Sequence, residues 1–267
     1  MEFIKWFSEE EPLYAKENNK ILVLNFQSQE NEGILNEWAE HFRNNYRTLI
    51  DLEFDIEDTG KTREEYLVQD VFPDAKIQPG PATRVGDFCE LLIADYIEYV
   101  RNYYVPRTRY CRKINRNMSS PGSDVLGFKI DEKSPKKDEV FVVEVKGTAD
   151  PKSSTNGYKR LQDAIEGSNK DILRYAESLN AVKRRLRDVG DIDNAKLVGR
   201  FQNMADRPYV VKFGAAAVLT NSIYIAEEMI KATTINHGKS ESLELIVVHT
   251  DDLKGLIDDL YRRAAKC

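Results

Sequence analysis

Short unbroken apolar runs alternate along this chain with segments in which apolar residues recur every third or fourth position. The runs read as buried strands and the recurrences as amphipathic helices. Ile21-Leu22-Val23-Leu24 is the first run, and Ile34, Leu35, Trp38, Phe42, Tyr46 and Leu49 then mark a helix over 33–50. The acidic stretch from Asp51 to Asp74 ends at strong breakers, Pro73 and then Pro79-Gly80-Pro81, which set a boundary near residue 80. Beyond it the pattern predicts a helix capped by Thr83 and running to about Arg101, then a strand and loop over 103–116. Strands at 124–130 and 139–146 follow, joined by a polar hairpin. After a loop over 151–157 come a long helix at 159–187 and another at 191–205. A strand at 209–220 contains Gly214-Ala215-Ala216-Ala217, small enough for close packing. A helix at 223–232, a strand at 243–249 and a terminal helix from Asp251 complete the chain.

From residue 83 onward the order is helix, three strands, helix, strand. That predicts an α/β fold with one central mixed sheet. Its length, 267 residues, suits one domain over 81–267 preceded by an α/β appendage over 1–80. Charge divides the same way. Residues 1–80 carry 18 acids and 8 bases, whereas the remainder carries 27 and 31. The appendage is therefore suited to docking a protein partner, and the larger part to meeting a polyanion. No apolar run approaches the roughly 20 residues of a membrane helix, and the first residues lack the pattern of a signal peptide. Cys89, Cys111 and Cys267 are too scattered for a zinc site or a disulfide framework. The expectation is a reduced, cytoplasmic protein.

Chemistry concentrates in Gly122-Ser123-Asp124-Val125-Leu126-Gly127-Phe128 and Phe141-Val142-Val143-Glu144-Val145-Lys146-Gly147. Strand side chains alternate faces, so Glu144 and Lys146 point one way while Val143 and Val145 enter the packing. Asp124 at the mouth of the preceding strand brings a second carboxylate to the same sheet edge, with Gly122 and Gly127 allowing close approach. Two crowded carboxylates repel unless a cation relieves them. A hard divalent ion, Mg2+ or Mn2+, prefers such oxygen ligands. It would hold a phosphodiester and lower the pKa of an attacking water, with Lys146 serving that water or the phosphate.

Glu90 lies on the apolar face of the helix from Thr83, where a carboxylate needs a cation or hydrogen bonds. It is a candidate third ligand. Asp87, Asp95 and Glu98 fall on another face and read as solvated. On the long helix, Gln162 leads a face shared with Ile165, Glu166 and Asn169 and is a candidate to touch phosphate or steady Lys146. Arg107, Arg109, Arg112, Lys113 and Arg116, interleaved with tyrosines and no acid, form a candidate nucleic-acid strip reading backbone rather than base sequence. The alternative for that strip is a charged edge strand. Gly238-Lys239-Ser240 is a turn and not a phosphate loop, because Thr233 stands where the earlier glycine is required.

Asp124 with Glu144-Val145-Lys146 resembles the PD-(D/E)xK nuclease superfamily, whose restriction-endonuclease-like core also fits the predicted element order. Glu90 matches the acid many members carry on the preceding helix. The leading Pro-Asp is absent, since Ser123 precedes Asp124 with Pro121 nearby. More narrowly, RVGDFCELLIADYI, SSPGSDVLGF, VVEVKG and RLQDAIEGSNKDI are similar to the nuclease subunit of Hachiman-type bacterial anti-phage defence systems. That resemblance implies a small effector that degrades DNA when released by a large helicase (ATPase) partner. A catalytically silent, nucleic-acid-binding or scaffold subunit is the alternative, and residue spacing alone leaves RNA open as substrate.

Overall fold

A computed structural model describes residues 1–152 and 156–267, so the expected loop over 151–157 lies partly outside the described residues. Three strands, β1 (Phe7–Glu9), β2 (Leu13–Tyr14) and β3 (Lys20–Phe26), come first, followed by helices α1 (Glu32–Tyr46), α2 (Leu49–Ile56) and α3 (Arg63–Tyr66). Helix α4 (Gly80–Asp95) continues as a π-helical segment, Tyr96–Val100, and a long loop then reaches the hairpin of β4 (Val125–Lys129) and β5 (Glu139–Thr148). Helices α5 (Gly157–Asp188) and α6 (Ile192–Arg200), strand β6 (Val210–Thr220), the single turn α7 (Ala226–Met229), strand β7 (Glu244–Thr250) and helix α8 (Leu253–Ala264) follow.

These strands make one mixed sheet in the order β1-β3-β7-β6-β5-β4, with β2 also paired to β3. Strands β3, β7, β6 and β5 are parallel, and β4 is antiparallel to β5. Both faces are covered, which is why the central strands read as continuous apolar runs rather than alternating ones. Val143, Val145, Ala216, Val218, Ile246 and Val248 pack with α1, α4 and α8. Val142, Ala215, Ala217, Leu245 and Val247 pack with α5 and α6 on the other side. The small run at 214–217 serves that packing: a Cβ on Gly214 would stand 2.9 Å from the Phe141 ring.

Several expectations are corrected here. The boundary near residue 80 does not divide the sheet, because β3 pairs with β7 and Leu24, Phe26, Trp38 and Phe42 share a cluster with Ile246 and Val248. The helix over 33–50 stops at Tyr46, and the Thr48 side chain accepts from the Asp51 N–H to start α2. Thr83 does not cap α4; it sits in the first turn and donates to the Asn117 carbonyl at 2.8 Å. The strand expected within 103–116 is a lone bridge between Tyr104 and Phe128, so two strands rather than three stand between α4 and α5. That segment spends its polar groups on α4 instead of on a strand ladder. The helix over 223–232 shrinks to the single turn α7.

Candidate active site

Glu144 and Lys146 leave β5 on the α5 side, while Val143 and Val145 enter the opposite cluster, as alternation requires. Glu144 can lie flat against α5 because residue 167 has no side chain: a Cβ on Gly167 would stand 2.5 Å from Glu144 Oε1. Lys146 Nζ donates to Glu144 Oε1 at 2.6 Å, and Arg174 Nη2 approaches Oε2 at 3.4 Å. Val125 stands opposite Val143, which delivers the preceding Asp124 beside Glu144. Asp124 Oδ2 accepts from the Val145 N–H at 2.9 Å. The sheet edge therefore does bring Asp124, Glu144 and Lys146 together.

Glu90 joins them through an arginine. Its Oε2 accepts from Arg109 Nε at 2.9 Å and from the Tyr110 hydroxyl at 2.6 Å. The same guanidinium donates from Nη2 to Asp124 Oδ1 at 2.8 Å. Arg109 thus bridges the carboxylates of α4 and β4. Burial, then the neighbouring Glu90 and Glu144 charges, push the Asp124 carboxyl well above its usual range, with Arg109 pulling the other way. Burial disfavours the Lys146 ammonium, yet the Glu144 carboxylate, with Asp124 and Glu90 behind it, holds that ammonium above its ordinary value. The cluster carries more negative charge than its position tolerates, so it retains cations.

Residues that the sequence did not single out complete the arrangement. Asp171 on α5 is fully buried; its Oδ1 accepts from the Ser123 hydroxyl at 3.1 Å and from Arg174 Nε at 2.6 Å, while Oδ2 has no partner. The Ser178 hydroxyl accepts from the Ser123 N–H at 3.0 Å, fixing the turn that aims Asp124. Gly167, Asp171, Arg174 and Ser178 recur at i, i+4, i+7 and i+11, a small and polar stripe facing the sheet. That stripe was the available signal. Gln162 lies off it: its Oε1 accepts from the Thr233 N–H at 3.0 Å and does not serve Lys146.

The basic strip is also corrected, because most of its cations are spent inside the protein. Arg107 pairs with Asp95 and Glu98, Arg109 with Glu90 and Asp124, and Lys113 with Asp87. Arg116 pairs with Asp74 and donates to the Val68 and Phe72 carbonyls. Arg112 alone pairs at the surface, with Asp188 at 3.3 Å. Correspondingly Asp87 and Asp95 are buried and hydrogen-bonded, not solvated. Among the described residues no three Asp, Glu, His or Cys side chains already form a metal cage, and no helix is long and apolar enough to cross a membrane.

The sequence matches one known protein family, HamA, over residues 1–264. The chain belongs to the HamA family. This makes it a component of a Hachiman defence system, a role in antiviral defence. No curated protein matches the HamA chain.

Proposed function

We propose that this HamA-family chain is a metal-dependent DNA nuclease, the cytoplasmic effector of its Hachiman system, cutting phosphodiester bonds with little sequence preference. The observation that carries the reading is the convergence of Glu90 on α4 and Asp124 just before β4 on one internal cation, with Glu144 and Lys146 of β5 beside Asp124. Arg109 is that cation, and it stands in for a second one: two carboxylates already share a positive charge between them. The oxygen-only donor set fits Mg2+ or Mn2+. Asp124 and Glu144 would hold the ion with Glu90 assisting, once Arg109 withdraws. When bound, such an ion supplies a Lewis acid for the phosphate and acidifies an attacking water. Lys146, with 35% of its side chain exposed, orients that water and offsets phosphate charge. A helicase partner would dock on the acidic N-terminal segment, where α2 exposes Ile50 and Phe54.

Glu144→Ala or Lys146→Ala should abolish plasmid and linear-strand cleavage in Mg2+ with the fold intact, and EDTA should do the same to the wild type. Undiminished cutting by an Asp124→Ala/Glu144→Ala protein sinks the reading. The Arg109 bridge also supports a second reading, a silent nucleic-acid-binding or scaffold subunit whose site is permanently closed. Calorimetry with Mn2+ separates the two, because a silent subunit shows no binding that depends on Asp124 and Glu144.

A further inference from the structure

We propose that Arg185, near the C-terminal end of α5, forms a phosphate subsite that receives a nucleic-acid strand at the mouth of the carboxylate cluster. The inference rests on the nuclease reading and names where its substrate is gripped. A small cavity of about 40 Å³ opens beside Asp124, lined by Arg109, Ser123, Ser178, Val182 and Arg185 among others. One ordered water needs roughly 10–15 Å³, so the space admits a larger polar group.

The charge balance around that cavity is uneven. Arg109 is matched by Glu90 and Asp124, and Arg112 by Asp188. The Arg185 guanidinium forms no hydrogen bond or ion pair among the described residues, and its backbone carbonyl accepts from the Val189 N–H at 3.2 Å. Burial and the facing Arg109 and Arg112 guanidiniums lower its pKa below the ordinary value, the Cys111 thiol opposing them. A half-buried cation repelled by two others is a ready anion site.

A strand fits better than a free anion because further cations surround the cavity on the last turns of α5. Lys183, Arg184 and Arg187 lie on the adjoining face of that helix, toward Ala195 and Gln202 of the α6 side, and add positive charge around the cavity without lining it. Positive charge spread around one seated contact favours a polyanion over a small anion. Asp124 also lines the cavity and repels a phosphate seated deeply, so the strand lies across the mouth and is led toward Glu144 and Lys146.

The test is fluorescence anisotropy of the full chain with a labelled single strand and a labelled duplex, in EDTA so that nothing is cut. Arg185→Gln should weaken binding about five- to tenfold near 0.1 M salt and lower the log–log salt slope by about 0.7–0.9, one phosphate contact. Arg187→Gln, on the same helix but off the cavity, should change both far less. Unchanged affinity and slope in Arg185→Gln would overturn the proposal, as would an equal loss in Arg187→Gln, which would mark diffuse charge. Stabilisation of the wild type by inorganic phosphate, lost in Arg185→Gln while DNA binding stays, would reassign the site to a free anion and overturn it too. If the wild type binds no DNA, the nuclease reading fails first, and a wild type that binds with an indifferent Arg185 fails this inference alone.

Discussion

Two buried acids one turn apart on α4, Asp87 and Glu90, meet the same kind of partners and lead to different ends. Asp87 accepts from the Tyr46 hydroxyl at 2.8 Å and from Lys113, and Tyr46 shares a hydrogen bond of 2.7 Å with Tyr261. That pocket ties α1, α4 and α8 together and ends there, with 4% of the Lys113 side chain exposed. Burial pushes the Asp87 carboxyl up to about 7, with Lys113 pulling it down. Glu90 likewise accepts from a tyrosine and a loop cation, but Arg109 has a second hand on Asp124, and the network runs on to Glu144, Lys146, Arg174 and Asp171. Four acids there face three cations, and Asp171 Oδ2 is left without a partner. A pocket with its charges closed among themselves holds elements together. One short of positive charge is poised to take more.

Removing each loop cation breaks the comparison most directly. Lys113→Met strands a buried carboxylate and should cost about 3–5 kcal/mol, read from urea melts. Arg109→Gln should also destabilise the protein, but there Mn2+ should restore much of the loss, and calorimetry should show Mn2+ binding more tightly than to the wild type. The restored fraction should vanish with an added Asp124→Asn. Equal losses in the two variants, neither relieved by metal, would erase the distinction between the pockets.

A smaller change sharpens the same contrast from the α5 side. The Cβ of Gly167→Ala would press on Glu144, and overpacking of this kind costs about 1–3 kcal/mol. Glu144 must shift to relieve it, so Mn2+ affinity should fall while the fold persists. Gly214→Ala is the matched control, since its Cβ presses on Phe141 within the apolar layer. It should cost stability without altering metal affinity once folded. A Gly167→Ala protein with unchanged Mn2+ binding would mean that Glu144 is not a ligand.

Much of this could be read before any coordinates. The runs at 21–24, 139–146, 209–220 and 243–249 each became a strand, because a strand buried on both faces announces itself as an unbroken apolar run. The alternation that separates Glu144 and Lys146 from Val143 and Val145 needed only the strand period. What failed was long-range pairing. The β3–β7 ladder joins opposite ends of the chain, and a proline cluster with a charge shift at residue 80 gave a local reason to divide what the sheet unites. The internal pairing of the basic strip stays hidden for a related cause: Arg107, Arg109 and Lys113 find their acids on α4, and nothing within 101–116 reveals that. Asp171 was hidden among many helical charges, and only its place in a stripe of small residues set it apart.

The smallest expected effect is the most discriminating for how the loop works. Arg112 comes from the same segment as Arg109 and Lys113, but it meets Asp188 at 3.3 Å with both side chains 42% exposed. Exposed pairs contribute about 0–1 kcal/mol, because water screens the attraction and two long side chains must be ordered. Arg112→Ala should therefore lower the unfolding free energy from urea melts by no more than about 0.5 kcal/mol, against the several expected for Lys113→Met. If Arg112→Ala instead costs as much as Lys113→Met, the segment acts as one cooperative strap and burial of individual charges explains nothing. The difference between Asp87 and Glu90 would then have to come from where the strap ends, at Asp124, and not from how each carboxylate is enclosed.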